Sequence, residues 1–165
     1  MSRLIRTPKK ARWTHNCGGY KTSNSSATNY YFQYYPNNNN WGNFDSSPTS
    51  ISYSDIYAAE WIAPANGSLT RMDILVRASG TANDVQFYVF RGTPNGGQMS
   101  SLSLTQIAAS GACGIVFTTS TYSKQTDITD ATFSKGDALY VMLKKESHTG
   151  SSSHYFSVTL SGEFD

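Results

Sequence analysis

The chain has 165 residues, of which 38% are hydrophobic, 13% aromatic and only 15% charged. That length suits one domain with a sizeable core, burying roughly 70% of the surface its unfolded chain exposes. No apolar run approaches the ~20 residues of a membrane-spanning helix, and Cys17 and Cys113 are too few for a disulfide framework, so both are read as reduced thiols.

Ser, Thr, Asn, Gly and Tyr dominate the polar positions in place of helix-favouring Glu, Lys, Ala and Leu, which points to an all-β chain. The net charge of +2 hides an asymmetry. Residues 1–21 hold Arg3, Arg6, Lys9, Lys10, Arg12 and Lys21 with no acid, so the other seven bases face all eleven acids and the remainder is −4. We therefore expect an extended basic N-terminal arm over residues 1–21, followed by one domain over residues 22–165. Leu4, Ile5 and Trp13 within the arm favour docking on a protein surface over a purely electrostatic tail. The basic start is not followed by an apolar stretch of signal-peptide type, so synthesis in a cytoplasm is expected.

An aromatic strand is expected near Asn29 to Tyr35, followed by a long loop rich in Pro, Asn and Gly. Tyr57 to Ile62 reads as a strand ended by Ala63-Pro64. After the Asn66-Gly67 turn comes a strand over Leu69 to Ala78, where Met72, Ile74 and Val76 alternate with Arg71, Asp73 and Arg77. Val85 to Arg91, Ser101 to Ala108 and Gly114 to Thr119 read as further strands. DITDATFSKGD, with Asp127, Asp130 and Asp137, resembles a calcium loop but lacks its register and closing Glu, so turn and strand-start roles are expected. Leu139, Val141 and Leu143 then mark one strand and Phe156, Val158 and Leu160 the last, with a polar loop from Glu146 to Ser153 between them. About eight strands with regular turn signals predict a two-sheet antiparallel β-sandwich of jelly-roll type.

No G-x-S-x-G elbow or phosphate-cradling loop is present, and His15, His148 and His154 have no local frame for nucleophilic catalysis. His15, Cys17, Cys113, His148 and His154 have no metal-site spacing, so no metal, cofactor or catalytic residue is assigned. Tyr31, Tyr35 and Trp41 flank the Asn37–Asn40 run, and rings beside amides suit a host glycan. Successive aromatics on a strand also point to both faces, so packing within or between subunits is the other reading. The body is acidic and shows no dedicated nucleic-acid footprint. Tyr88, Phe90, Tyr140, Met142 and Tyr155 fall on strand faces opposite the expected core, which marks them as a subunit interface.

The C-terminal run resembles the end of trimeric C1q/TNF-like jelly rolls, through Phe133, Gly136, Asp137, Leu139, Val141 and Leu143, then Tyr155, Phe156, Val158, Leu160 and Gly162. The segment AEWIAPANGSLTRMDILVRASG resembles jelly-roll accessory proteins of tailed-phage virions, of the capsid decoration and fibre types. The resemblance implies a non-enzymatic virion protein made in the host cytoplasm. It also implies self-association as a homotrimer and attachment to the major capsid or another virion protein. Arg3, Leu4, Ile5, Arg6, Lys9, Lys10, Arg12 and Trp13 would form the docking arm. A glycan- or receptor-binding module of a tail or head fibre is the alternative.

Overall fold

The computed structural model describes residues 9–23, 30–33, 41–44, 48–52, 61–80, 85–97, 99–113, 121–145 and 152–165. The described residues form eleven strands and no helix. These are β1 (Arg12–Ser23), β2 (Tyr30–Gln33), β3 (Trp41–Phe44), β4 (Ser50–Ser52), β5 (Trp61–Ile62), β6 (Gly67–Gly80), β7 (Val85–Gly92), β8 (Ser101–Ala109), β9 (Thr121–Phe133), β10 (Ala138–Lys145) and β11 (Ser152–Phe164).

One sheet has the order β1-β11-β6-β9 and the other β3-β2-β10-β7-β8-β4, with β5 pairing the end of β10. Every pairing among the described strands is antiparallel. With the short strands β3, β4 and β5 set aside, the first of the remaining eight strands pairs with the last, the second with the seventh, the third with the sixth and the fourth with the fifth. That nesting is a long hairpin rolled into two facing sheets, the jelly roll expected from the strand spacing.

Period-two alternation builds the core between the sheets. Met72, Ile74 and Val76 of β6, Val85, Phe87 and Val89 of β7, Leu139, Val141 and Leu143 of β10, and Val158 and Leu160 of β11 all point into it. Cys17 and Cys113 are buried thiols of this same core. At one end Trp13 stacks on Trp61, with centroids 4.6 Å apart, and Phe133 meets both rings edge-on.

The turn between β9 and β10 explains the Phe-x-x-Gly-Asp pattern. Gly136 has φ +89°, and the Asp137 amide donates to the Ser134 carbonyl at 3.0 Å, a turn that suits glycine at its third position. The buried Asp137 carboxylate accepts from the Ser134 amide and the Thr93 hydroxyl, each at 2.7 Å, and faces Arg91 at 3.8 Å. The motif is a structural clamp. Asp130 carries a φ of 60° in the irregular stretch of β9 where the register on β6 shifts, consistent with the tolerance of Asp for left-handed backbone.

Two elements depart from the sequence reading. Arg12 to Ser23 form a strand along the whole of β11 instead of an arm, because Trp13 and Cys17 alternate into the core while Arg12, Thr14 and Asn16 face out. Asp127 and Asp130, expected in turn and strand-start roles, lie within β9 (Thr121–Phe133), an edge strand whose inward Tyr122, Lys124, Thr126 and Ile128 are only half-buried. The long loop expected after Tyr35 includes the short strands β3 and β4. The strand expected at Gly114 to Thr119 lies outside the described residues.

Gly162 is where β11 must pass beneath the Trp13 ring. A Cβ there would collide with the Ser68 carbonyl oxygen and approach the indole to 2.6 Å. Gly162→Ala should therefore cost about 3 kcal/mol, as overpacking of a tight core does. Gly97→Ala, with only the Asn95 side chain nearby at 3.9 Å, should change stability by less than about 0.5 kcal/mol. Urea denaturation of the two variants checks the contrast.

Candidate functional site

Four of the five residues expected at a subunit interface are buried by the chain itself. Tyr88 is 8% exposed, Phe90 1%, and Tyr140 and Met142 0%. They form a second apolar cluster with Ile51, Leu102, Leu104 and Ala138, on the face of the larger sheet that looks away from the sandwich interior. A bulge in the β7–β8 pairing makes this possible. Val89 pairs with Ala108 but Phe90 pairs with Gln106, so the parity of β8 flips. Ala108 therefore joins the inter-sheet core while Leu102 and Leu104 join the outer cluster. Gly92 leaves room for both leucines, since a Cβ would stand 2.5 Å from Leu102. The interface assigned to Tyr88, Phe90, Tyr140 and Met142 is thus corrected: β7 and β10 are central strands buried on both faces.

Trp13 is corrected likewise, from a docking residue to a core residue. Lys9, Lys10 and Arg12 remain exposed at the foot of β1. Lys10 is bound to Asp165 at 2.9 Å, and this hydrogen bond raises the lysine pKa. Beside it the Phe164 amide donates to the Ala11 carbonyl at 2.8 Å, so the two ends of the domain are tied together. Arg3, Leu4, Ile5 and Arg6 lie outside the described residues. Of the glycan candidates, Tyr31 lies on β2 and Trp41 on β3, with Gln33 opposite Trp41 and Tyr31 opposite Asn43. Tyr35 lies outside the described residues, as does His148.

His15 stacks on Trp61 at 6.2 Å between centroids, and His154 is fully buried opposite Lys21 and Ala78. Among the described residues no group of three or more His, Cys, Asp or Glu could hold a metal ion, and no helix is long and apolar enough to cross a membrane.

The outer face of β1, β11, β6 and β9 is an accessible surface rich in described side chains. Its rows follow from the register: Thr14, Ser161, Arg71 and Asp127; then Asn16, Thr159, Asp73 and Gln125; then Gly18, Ser157, Leu75 and Ser123. Tyr155, Arg77 and Thr121 form the next row. The polar end is internally paired. Arg71 grips Asp73 through Nε and Nη2 at 2.7 to 2.9 Å, a hydrogen bond that raises the arginine pKa, and the Thr159 hydroxyl donates to Asn16 at 2.6 Å. A cleft of about 630 Å³ lies here, lined by Arg12, Asp73, Asp127 and Glu163 among others. At the other end Leu75 is 51% and Tyr155 49% exposed, beside a depression of about 440 Å³. Tyr155 is the one interface candidate that reaches the surface. Leu75 and Arg77 were not singled out from sequence, although Leu75 is the apolar residue that breaks the polar phase of β6.

The pairing defines a jelly-roll β-sandwich. No protein-family model matches the chain, and no curated protein matches it in sequence. A chain from the structure of infectious bursal disease virus, Gt strain, is similar in shape, with a TM-score of 0.44 and 9% identity. The match covers 99% of this chain and 37% of that one, so this protein spans little more than a third of its neighbour's length.

The second core has a measurable signature. Burial pushes the Tyr140 hydroxyl from 10.0 up to about 12. Because the folded value lies above the unfolded one, the stabilisation is complete below pH 10 and is lost as pH rises towards 12. Absorbance titration of the folded protein should show a late tyrosine that Tyr140→Phe removes.

Proposed function

We propose that the protein is a non-enzymatic structural component of a virion, attached to the particle through its basic N-terminal end and self-associating at the particle surface. The observation that carries this reading is the complete jelly-roll pairing of a chain with divided charge. The architecture is one used by capsid and lectin domains, and the bases gather at one end of an otherwise acidic sequence. Fold sets only the class; the attachment is argued from chemistry. Arg3, Arg6, Lys9 and Lys10 supply charge for an acidic acceptor, and Leu4 and Ile5 supply apolar area that would hold after salt screens the charges.

Other features agree. Asp73, Asp137, Glu163 and Asp165 each face a cation, as suits a structural surface more than one poised for proton transfer. The C-terminal strand pattern adds the expectation of a trimer, now without the four buried aromatic and Met positions as its contacts. A decoration protein that binds only the assembled shell stabilises that shell by mass action. The finer assignment, a decoration or cement protein of a tailed phage, rests on the sequence resemblance.

The structure dictates how to test attachment. A deletion through residue 13 would remove Trp13 and collapse the core, so the cut must stop before β1. The variant lacking residues 2–8 should keep its melting temperature and native mass yet lose binding to particles. Unchanged occupancy on the particle, at matched protein concentration, would refute the attachment role.

A further inference from the structure

The depression on the outer face of the four-stranded sheet has a composition that the structural role does not use. It spans the face of the sheet from β1 to β9 and is centred on β11 and β6, whose strand edges are paired on both sides. Its relief has a local cause. Gly19 of β1, opposite Phe156 of β11, lines it with no side chain to fill the space. Around the indentation stand Tyr155, Arg77, Thr121, Leu75 and Ser157. Tyr155 is about half exposed, and cross-strand pairing places it opposite Arg77.

Arg77 is the informative residue. The other described arginines each face a carboxylate: Arg12 faces Glu163 at 3.8 Å, Arg71 faces Asp73 at 2.7 Å and Arg91 faces Asp137 at 3.8 Å. Among the described residues Arg77 has no such partner and is exposed. A guanidinium of this kind offers a forked pair of donors to a planar anion, with geometry that lysine lacks. Beside it lie an aromatic face, an aliphatic side chain and two hydroxyls within one small depression. We propose that this depression is a binding site for an acidic sugar. The sugar's carboxylate would pair with Arg77, an apolar ring face would lie on Tyr155, and its hydroxyls would bond to Thr121 and Ser157.

Size decides against a protein occupant. The volume of about 440 Å³ suits one or two sugar rings, within the usual range for small-ligand sites. A stable protein interface needs on the order of 800 Å² from each partner. Beyond Leu75 and Tyr155, the described side chains of this face are Ser, Thr, Asn, Gln and charged groups, of which Arg71 pairs with Asp73 and Arg12 with Glu163. The site is distinct from Tyr31, Tyr35 and Trp41, and it does not depend on the N-terminal attachment.

The test is titration of the purified full chain with sialyllactose and with an oligogalacturonate, using lactose as the neutral control, read by calorimetry and by amide NMR shifts. Saturable binding of at least one acidic probe, with shifts centred on Arg77 and Tyr155 and none with lactose, is the expected result. Arg77→Gln and Tyr155→Ala should each weaken it by about tenfold or more. Asp127→Asn, at the far end of the same face, should leave it unchanged. Absence of saturable binding to both acidic probes would overturn the site, as would binding indifferent to Arg77→Gln and Tyr155→Ala. Light scattering of Leu75→Arg supplies a further arm: if the native protein is an oligomer that this change converts to monomer, the face is a subunit contact and the sugar site is wrong. Particle attachment by the chain lacking residues 2–8 is scored separately, so either idea can fail without the other.

Discussion

The pairing of β1 with β11 closes this molecule, and the rest of the architecture leans on it. Twelve register pairs, from Arg12 opposite Glu163 to Ser23 opposite Ser152, bring the first described strand against the last. Without that closure the core would lose Trp13 and Cys17 from its inner layer, and β11 would become an open edge. The Trp13, Trp61, Phe133 and Phe164 rings lock one end of the seam, and Gly162 is the position that lets them approach. The Lys10–Asp165 pair beside them is exposed and adds little by itself. Its place shows how near the two ends of the domain lie.

The second constraint is burial on both faces of the larger sheet. Antiparallel sheets often leave one face to solvent, but β7 and β10 have buried side chains in both phases. One phase fills the sandwich and the other fills the cluster around Phe90 and Tyr140. The bulge in β8 lets a single strand serve both layers. The aromatic residues of this sheet are therefore core residues that contribute to folding.

The four-stranded sheet is consequently where recognition chemistry can sit. Its outer face runs from a paired polar end, with Arg71 and Asp73, to a less polar end, with Leu75, Tyr155 and an arginine free of any carboxylate among the described residues. Strand pairing fixes the backbone beneath these groups, which lowers the ordering cost of binding. On the proposed reading, a basic attachment end and a small exposed site would combine anchoring and recognition in one domain.

Much of this was legible in the residues. Alternation in Leu69 to Ala78, in Val85 to Arg91 and in the last two strands identified β6, β7, β10 and β11, and turn spacing identified the sandwich. The Phe133, Gly136 and Asp137 pattern marked the turn before β10. Strand β9 escaped because an edge strand with half-buried inward residues carries almost no hydrophobic period. Strand β1 escaped because its charges suggested a tail, while only Trp13 and Cys17 carried the buried phase. The aromatic phase of β7 and β10 was read as an interface because a sequence records that a face is apolar and not what covers it. The sequence by itself determined the fold class, since period and turn chemistry are local properties. Only the tertiary structure decided which apolar faces are closed, that Trp13 is core, and that Arg77 stands beside Tyr155 on an open face. Those facts depend on cross-strand register between segments nearly eighty residues apart, and no local pattern encodes it.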